Sequence, residues 1–273
     1  MTIRLALDHI TVMDAGPLDL VEAAFAADCA GICLFMEPMA VLPHMPHFDL
    51  FGSAAARADL KALMAGTGVS LDLAYPFTLA GRTDVSAYRP ALDLAAELGA
   101  PCVNLLIYDR DERRRAENFG AFCDLADEAG LGVALEFYPV SQVQSLAEAL
   151  ALAALADRPG RVGVNVDLLH LMRSGGSIAE LAEAPAGLIR FAQIADGPRD
   201  CSEDSLDVEA SSRRCLAGEG VFDVAGFVRA LPAGCPISVE IPQEGALLAG
   251  LSRTARAQRA VDSVRNALQS RML

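Results

Sequence analysis

Short apolar runs alternate with longer amphipathic segments eight times along the chain. The short runs have the length of strands, and the longer segments repeat apolar residues at the spacing of a helix. Strands are predicted at Ile3–His9, Gly31–Phe35, Val69–Tyr75, Cys102–Tyr108, Gly132–Phe137, Val162–Asp167, Ile189–Ile194 and Ile237–Ile241. Helices are predicted at Leu18–Ala30, Ala54–Ala65, Val85–Leu98, Asp111–Ala129, Leu146–Ala156, Ile178–Ala184, Val224–Leu231 and Arg253–Ser270.

Eight strand–helix pairs predict an α/β fold, a single (β/α)8 TIM barrel with its helices outside. The length of 273 residues is close to the ~250 that such a barrel needs, so residues 1–273 are expected to form one domain. A doubly wound open sheet is the alternative, but its glycine-rich first turn is missing. The C-terminal ends of the strands carry function in barrels. Two long loops, Met36–Phe51 and Gly197–Gly220, leave that face, and the first is either a lid or a packed surface loop.

Composition narrows the classes of partner. The net charge is −14, and 53% of the residues are hydrophobic, which is typical of a folded acidic protein. Such a chain repels phosphate backbones, so nucleic-acid binding is not expected. No apolar run reaches the ~18 residues of a membrane span, and the N-terminus lacks a signal-sequence pattern. No membrane contact and a cytoplasmic location are therefore predicted.

The chain lacks the residues or motifs that several common kinds of catalysis and nucleotide binding require. The one lysine, Lys61, lies within a predicted helix, which argues against Schiff-base catalysis. The chain has no phosphate-binding P-loop, no dinucleotide-binding glycine motif and no serine-hydrolase elbow. Its seven cysteines form no CxxC pair and are predicted to be reduced and mostly buried, without disulfides or a thiolate zinc site.

Polar residues end four consecutive predicted strands that are otherwise apolar. These residues are Glu136, Asp167, Gln193 and Glu240. Each alone is also compatible with a helix cap or a loop anchor, but in a barrel all four converge at one mouth. Because clustered carboxylates repel each other, a divalent cation is the simplest explanation. An all-oxygen set favours Mn²⁺ or Mg²⁺, with Co²⁺ or Zn²⁺ as alternatives.

The segments LEFYP, NVDLLHLMRSGG, FAQIADGP, RRCLAGEG and ISVEIP resemble the xylose-isomerase-like barrel superfamily of sugar phosphate isomerases and epimerases. The resemblance implies one divalent metal bound by Glu136, Asp167, Gln193 and Glu240, and a substrate contact from His170. Epimerases of this group usually carry His where this chain has Gln193. The sequence QIAD and the Arg214–Cys215 pair before Gly218 resemble the 3-dehydroshikimate dehydratase branch instead.

The metal chemistry supports three outcomes from one constellation. A cation that chelates a hydroxy-ketone acidifies the neighbouring C–H, and Glu136 or Glu240 can remove that proton. Proton return isomerises or epimerises the substrate, and loss of a β-hydroxyl dehydrates it. His170 is a candidate acid, base or hydrogen-bond donor to the substrate. Arg214 is a candidate clamp for a substrate carboxylate or phosphate.

The leading hypothesis is therefore a metal-dependent isomerase or epimerase of a small sugar or polyhydroxy carbonyl compound. The first alternative is a 3-dehydroshikimate dehydratase-like lyase, and the second is a binding barrel without catalysis. An abasic-site endonuclease shares the barrel, but four histidines and a charge of −14 do not suit three zinc ions and a basic cleft. A homo-oligomer is compatible with the sequence, although no surface stretch indicates one.

Overall fold

The computed structural model describes residues 3–202 and 205–269, and it contains a closed barrel of eight parallel strands. Each strand pairs with its neighbours in sequence, and the last pairs with the first. The predicted (β/α)8 barrel is therefore confirmed. The strands are β1 (Leu5–Asp8), β2 (Gly31–Phe35), β3 (Ser70–Leu79), β4 (Cys102–Ile107), β5 (Gly132–Glu136), β6 (Val162–Asp167), β7 (Ile189–Ile194) and β8 (Ile237–Val239).

Helices occupy the segments between the strands and surround the barrel. They are α1 (Pro17–Ala26), α2 (Ala54–Thr67), α3 (Arg89–Glu97), α4 (Glu112–Glu128), α5 (Leu146–Leu155), α6 (Leu168–Arg173), α7 (Ile178–Glu183), α8 (Leu206–Ser212), α9 (Val224–Ala230), α10 (Glu244–Leu248) and α11 (Arg253–Gln269). Among the described residues, no helix combines the length and the apolar character that crossing a bilayer requires. Ser270, the predicted end of the last helix, lies outside the described residues.

The observed elements differ from the predicted ones in ways that matter for the site. Strand β3 continues past Tyr75 to Leu79, with a register shift that lets it stay paired to β4. Helices α6, α8 and α10, which have five to seven residues each, were not predicted. The predicted helix Val85–Leu98 begins as a separate 3-10 turn, and α3 starts next to Pro90.

Side chains inside the barrel form an apolar layer with a polar layer above it. The apolar layer contains Ala6, Cys33, Leu73, Cys102, Ala134 and Phe191. Side chains two residues further along a strand point to the same face, closer to the C-terminal end. These positions carry Asp8, Phe35, Tyr75, Asn104, Glu136 and Gln193. The lumen is therefore plugged by apolar groups below and lined by polar groups at its mouth.

His9, directly after β1, is a fully buried histidine with both ring nitrogens in hydrogen bonds. Its Nε2 bonds to the carbonyl of Ala15 at 2.9 Å, and the N–H of Phe35 donates to Nδ1 at 3.2 Å. Burial lowers the pKa of His9 from 6.5 to about 4, against the opposing effect of the Ala15 bond. The unfolded chain therefore binds this proton at a higher pH than the folded chain, and the stability contributed by neutral His9 is lost between pH 6.5 and pH 4.

We expect the free energy of unfolding to fall by roughly 3 kcal/mol from this group as the pH drops through that window. Urea unfolding between pH 7 and pH 4 measures the change. In His9→Gln the free energy of unfolding should change less with pH. The difference in stability between this variant and the parent protein should therefore shrink towards pH 4. His47→Gln, which changes an exposed histidine, is the matched control. A difference that stays constant with pH in His9→Gln would contradict the assignment.

Candidate metal centre

Glu136, Asp167 and His170 form a buried triad at the C-terminal mouth of the barrel. The first two are the last residues of β5 and β6. Asp167 also caps α6, because its Oδ1 accepts hydrogen bonds from the N–H groups of Leu169 and His170 at 2.6 and 3.2 Å. This cap turns the chain so that His170 Nε2 lies 3.4 Å from Glu136 Oε1 and 3.8 Å from Asp167 Oδ2. Because one potential ligand atom from each lies within 4.8 Å of the others, the triad has the geometry to hold a metal ion.

Gln193 and Glu240 lie at the same mouth. Gln193 is on β7, and Glu240 directly follows β8, where its N–H donates to the Ile194 carbonyl at 2.9 Å. Both line one cavity together with Glu136 and His170. The structure thus brings all four residues predicted as metal ligands to one end of the barrel. It also places His170, predicted as a catalytic and substrate-binding residue, beside two of them.

Arg214 reaches this cluster from the loop after β7. Its Nη1 donates to Asp167 Oδ2 at 2.5 Å and lies 3.2 Å from Glu240 Oε2, and its Nε donates to the Ala210 carbonyl at 2.9 Å. The guanidinium was predicted to clamp a substrate anion. In this structure its Nη1 balances the charge of two carboxylates instead, while the side chain still lines the cavity.

Asp167 and Glu240 respond differently to their shared environment. Burial alone would raise the pKa of Asp167, but Arg214 and then His170 outweigh it and lower that pKa below its usual range. Burial raises the pKa of Glu240 well above its usual range; Arg214 opposes this, and the charges of Asp8 and Asp167 add to it. One guanidinium therefore stabilises Asp167 as an anion but is insufficient for the whole cluster.

Below the mouth of the barrel, hydrogen bonds between side-chain amides connect Glu136 to Gln193. Asn104 Nδ2 donates to Glu136 Oε2 at 2.5 Å, while Asn165 Nδ2 lies 3.0 Å from Asn104 Oδ1 and 2.5 Å from Gln193 Oε1. Neither asparagine was predicted as a site residue. The available signal was an asparagine in the interior of a strand that is otherwise apolar up to its last residue, in CVNLLI and VGVNVD.

The cavity above these residues has a volume of about 620 Å³ and two unlike sides. Its polar side consists of Asn104, Glu136, His170, Gln193, Arg214 and Glu240. Apolar and aromatic groups form much of the remainder, among them Phe35, Leu42, Tyr75, Phe77, Leu106 and Tyr108. Both long loops contribute walls: Met39 and Val41 come from the first, and Asp207 and Val208 from α8 in the second.

Asp196 organises the loop that carries Arg214. Its buried carboxylate accepts hydrogen bonds from four backbone N–H groups, those of Gly197, Gly218, Gly220 and Phe222. Its backbone also forms two hydrogen bonds with Cys215, the residue after Arg214. Gly220 must remain a glycine, because an added Cβ would overlap the Asp196 carboxylate and the Gly197 carbonyl. Asp196 is therefore a structural anchor that fixes where Arg214 enters the site.

Arg173 anchors α8, the helix that forms one wall of the cavity. Its Nε and Nη2 donate to the buried Glu209 carboxylate at 2.7 and 2.6 Å, and Nη2 also donates to the Pro198 carbonyl at 2.8 Å. The guanidinium lies 5.2 Å from the centre of the Phe222 ring. At the far end of the wall, the Tyr138 hydroxyl donates to Asp207 Oδ1, and the Tyr138 ring packs 4.5 Å from that of His170. Tyr138 therefore contacts both α8 and His170 of the buried triad.

Comparisons with known proteins agree with this architecture. The sequence model of a family described as xylose isomerase-like TIM barrel matches residues 21–267. Two curated relatives are named 3-dehydroshikimate dehydratase: the Pseudomonas aeruginosa protein is 29% identical over 255 residues and the Pseudomonas putida protein 26% over 254. Each match covers 86% of this chain but 38% of the relative, so the chain spans well under half of their length.

A solved structure shares the fold across nearly the whole of both chains. The IolI protein with a bound zinc atom superimposes with a TM-score of 0.80 at 17% identity, covering 98% of this chain and 99% of that one. At this identity the likeness supports the fold, and the chemistry has to be argued from the residues themselves.

We expect Asp196→Asn to destabilise the protein by about 2–4 kcal/mol, because an amide can no longer serve every backbone donor that the carboxylate serves. Cleavage by a protease within residues 197–222 should become faster, since these bonds hold that loop. Asp200→Asn, at an exposed position of the same loop, is the control. Urea unfolding and mapped limited proteolysis measure both effects, and parent-like values for Asp196→Asn would refute the anchoring role.

Proposed function

Because the chain belongs to the xylose isomerase-like TIM barrel family, we propose that it is a divalent-metal-dependent enzyme that acts on a small hydroxy-carbonyl compound. The supporting observation is the buried cluster of Glu136, Asp167 and His170, of which Glu136 and His170 line one cavity with Gln193 and Glu240. Removal of a proton next to the substrate carbonyl is the proposed first step. Within this chemistry, dehydration of a 3-dehydroshikimate-like compound is the best-supported reaction.

The donor groups fit a divalent cation. Glu136, Asp167 and Glu240 carry three negative charges when ionised, and Arg214 compensates one of them. A divalent ion would balance the other two, whereas the proton that the raised pKa of Glu240 favours would neutralise only one of them. The Gln193 oxygen accepts from Asn165 and has a second lone pair available. His170 Nδ1 is buried without a hydrogen-bond partner, so the imidazole is not committed to a structural role through that atom.

Two ligand sets are compatible with this cluster. The oxygen quartet Glu136, Asp167, Gln193 and Glu240 favours Mn²⁺ or Mg²⁺. The triad that contains His170 Nε2 suits Zn²⁺ or Co²⁺ better, because imidazole is a good ligand for these ions. We propose the oxygen quartet, which leaves His170 available to the substrate.

When bound, the cation would polarise the substrate carbonyl and increase the acidity of the adjacent C–H. The roles proposed for this chain's residues follow from their positions. Glu136 or Glu240, on different sides of the mouth, would remove the proton. His170, 3.4 Å from Glu136, would donate a hydrogen bond or a proton to the departing β-hydroxyl, which leaves as water. The anchored Arg214 would hold Asp167 ionised and would keep both Asp167 and Glu240 in position.

The two-sided cavity favours a ring-shaped substrate with its oxygen atoms on one edge. An aromatic and apolar wall offers few hydrogen-bond partners to a hydroxylated open chain, but it can pack against the carbon face of a ring. A cyclic hydroxy-ketone such as 3-dehydroshikimate fits this division. The names of the two curated relatives agree with it, as does Gln193 at the position expected to hold His in epimerases.

An isomerase or epimerase of a small sugar is the second candidate. The observation that favours it is the presence of two carboxylates, Glu136 and Glu240, on strands separated by β6 and β7. Exchange of a proton between two faces of one carbon needs a base on each face. Both proposals use the same metal site and differ in the fate of the β-hydroxyl.

We predict that the dialysed protein binds about one divalent ion per chain and that Glu240→Ala loses at least 100-fold in Mn²⁺ affinity, because it removes a proposed direct ligand. Titration calorimetry measures the affinity, and circular dichroism checks that the barrel remains folded. Glu244→Ala changes a nearby carboxylate that pairs with His44 outside the cavity, and it should bind Mn²⁺ normally. Unchanged affinity in Glu240→Ala would refute the proposed ligand set.

We predict that the Mn²⁺-loaded protein converts 3-dehydroshikimate to an aromatic product, which ultraviolet absorbance detects directly. Glu136→Gln should reduce the rate by 100-fold or more, since an amide cannot accept the proton. If no aromatic product forms but the substrate exchanges its α-hydrogen with deuterated water, the isomerase or epimerase candidate takes its place. If neither reaction occurs across a panel of hydroxy-ketones, the catalytic proposal fails.

A further inference from the structure

Gln193 is held at both ends of its side-chain amide. Its Oε1 accepts from Asn165 Nδ2 at 2.5 Å, and its Nε2 donates to Asp8 Oδ2 at 3.2 Å. Asn165 lies on β6 two residues before Asp167, whereas Asp8 ends β1 on the opposite side of β8. The oxygen end of Gln193 is therefore turned towards β6, which ends in the proposed ligand Asp167, and the nitrogen end is turned towards β1.

The orientation of the side chain decides whether an amide can bind a cation, whereas a carboxylate can bind a cation in either orientation. Either end of a carboxylate offers an oxygen to a cation, but an amide offers an oxygen at one end and two N–H groups at the other. A rotation of Gln193 by half a turn would point N–H groups at a bound cation. Some neighbouring group must prevent that rotation if Gln193 is to act as a ligand.

Asp8 has the chemistry and the rigidity for this task. An ionised carboxylate only accepts hydrogen bonds, so it selects the N–H end of Gln193. The other carboxylate oxygen, Oδ1, accepts from the Tyr75 hydroxyl and from the Ile10 N–H, the latter at 3.2 Å. Asp8 is fully buried, and Tyr75 is fixed in turn by an edge contact with the Phe35 ring at 4.1 Å.

We propose that Asp8 is a positioning residue that fixes the amide of Gln193 with its oxygen towards the metal centre. This inference rests on the metal site proposed above and adds Asp8 to it as the acceptor that, together with the donor Asn165, sets the orientation of a glutamine ligand. Asp8 itself does not line the cavity. Its effect on a bound cation is exerted through Gln193.

The competing explanation is electrostatic, because the negative charge of Asp8 would attract a cation from any orientation. A double-mutant cycle separates the two. Mn²⁺ affinity is measured by titration calorimetry at pH 8 for the parent protein, Asp8→Asn, Gln193→Glu and the double variant. In Gln193→Glu both ends of the side chain are oxygens, so orientation no longer matters, while any electrostatic contribution of Asp8 persists.

Positioning predicts that Asp8→Asn weakens Mn²⁺ binding 10- to 100-fold in the Gln193 background and less than about threefold in the Gln193→Glu background. Equal losses in both backgrounds would overturn the inference and leave the metal site intact. If the parent protein binds no Mn²⁺, the proposed function and this inference fail together. The two failures are therefore distinguishable from one set of titrations.

Tyr75→Phe provides a second test that keeps the Asp8 carboxyl group and does not depend on Asp8→Asn folding. It removes the hydroxyl that holds Asp8 Oδ1 and leaves the Ile10 N–H and Gln193 Nε2 as donors to that carboxyl group. Positioning predicts a loss of Mn²⁺ affinity of about threefold to tenfold. Parent-like affinity in Tyr75→Phe would contradict a role for the Tyr75–Asp8–Gln193 chain in orienting the ligand.

Discussion

The closed parallel barrel forces acidic side chains from neighbouring strands into one small volume, and the balance of their charge governs the rest of the site. Glu136, Asp167 and Glu240 are all buried, so water cannot screen their repulsion. Arg214 compensates part of it at the cost of a buried guanidinium. The loop after β7, the Asp196 anchor and the proposed cation all follow from this single constraint.

The polar layer beneath the site is a second consequence of burial. Amide and carboxyl groups at the inward positions of β1, β4, β6 and β7 each need a partner, since all of them are buried. They find these partners in one another, from Glu136 through Asn104 and Asn165 to Gln193 and Asp8. Such a network holds each member in one orientation. A ligand set that has to be arranged before its ion arrives benefits from this rigidity.

The fold and the convergence at the mouth were predictable because both depend on periodicities visible in the chain. Alternating strand and helix patterns specify the barrel, and a polar residue at the end of an apolar strand such as CPISVEIP marks the mouth. The pairing of Arg214 with Asp167 was not predictable, because it depends on the path of a loop ordered by contacts to Asp196. Helix α6 was missed for a related reason: its six residues owe their start to the Asp167 cap rather than to periodicity. Inward asparagines such as Asn104 were overlooked because one polar residue in a buried strand is ambiguous until its partners are known.

On the proposed function, the division between the two sides of the cavity would let one scaffold support different reactions. The acidic side comes from strand ends, which the barrel geometry holds in place, and it would supply the proton chemistry common to isomerisation and dehydration. The opposite side and the rim come partly from the loops after β2 and β7, whose residues Val41 and Val208 are exposed. These loops tolerate change without disturbing the charge balance at the strand ends. On the proposed function, the apolar wall and the loops would therefore select the substrate, whereas Gln193, in the orientation proposed for it, would belong to the machinery that any substrate of this barrel meets.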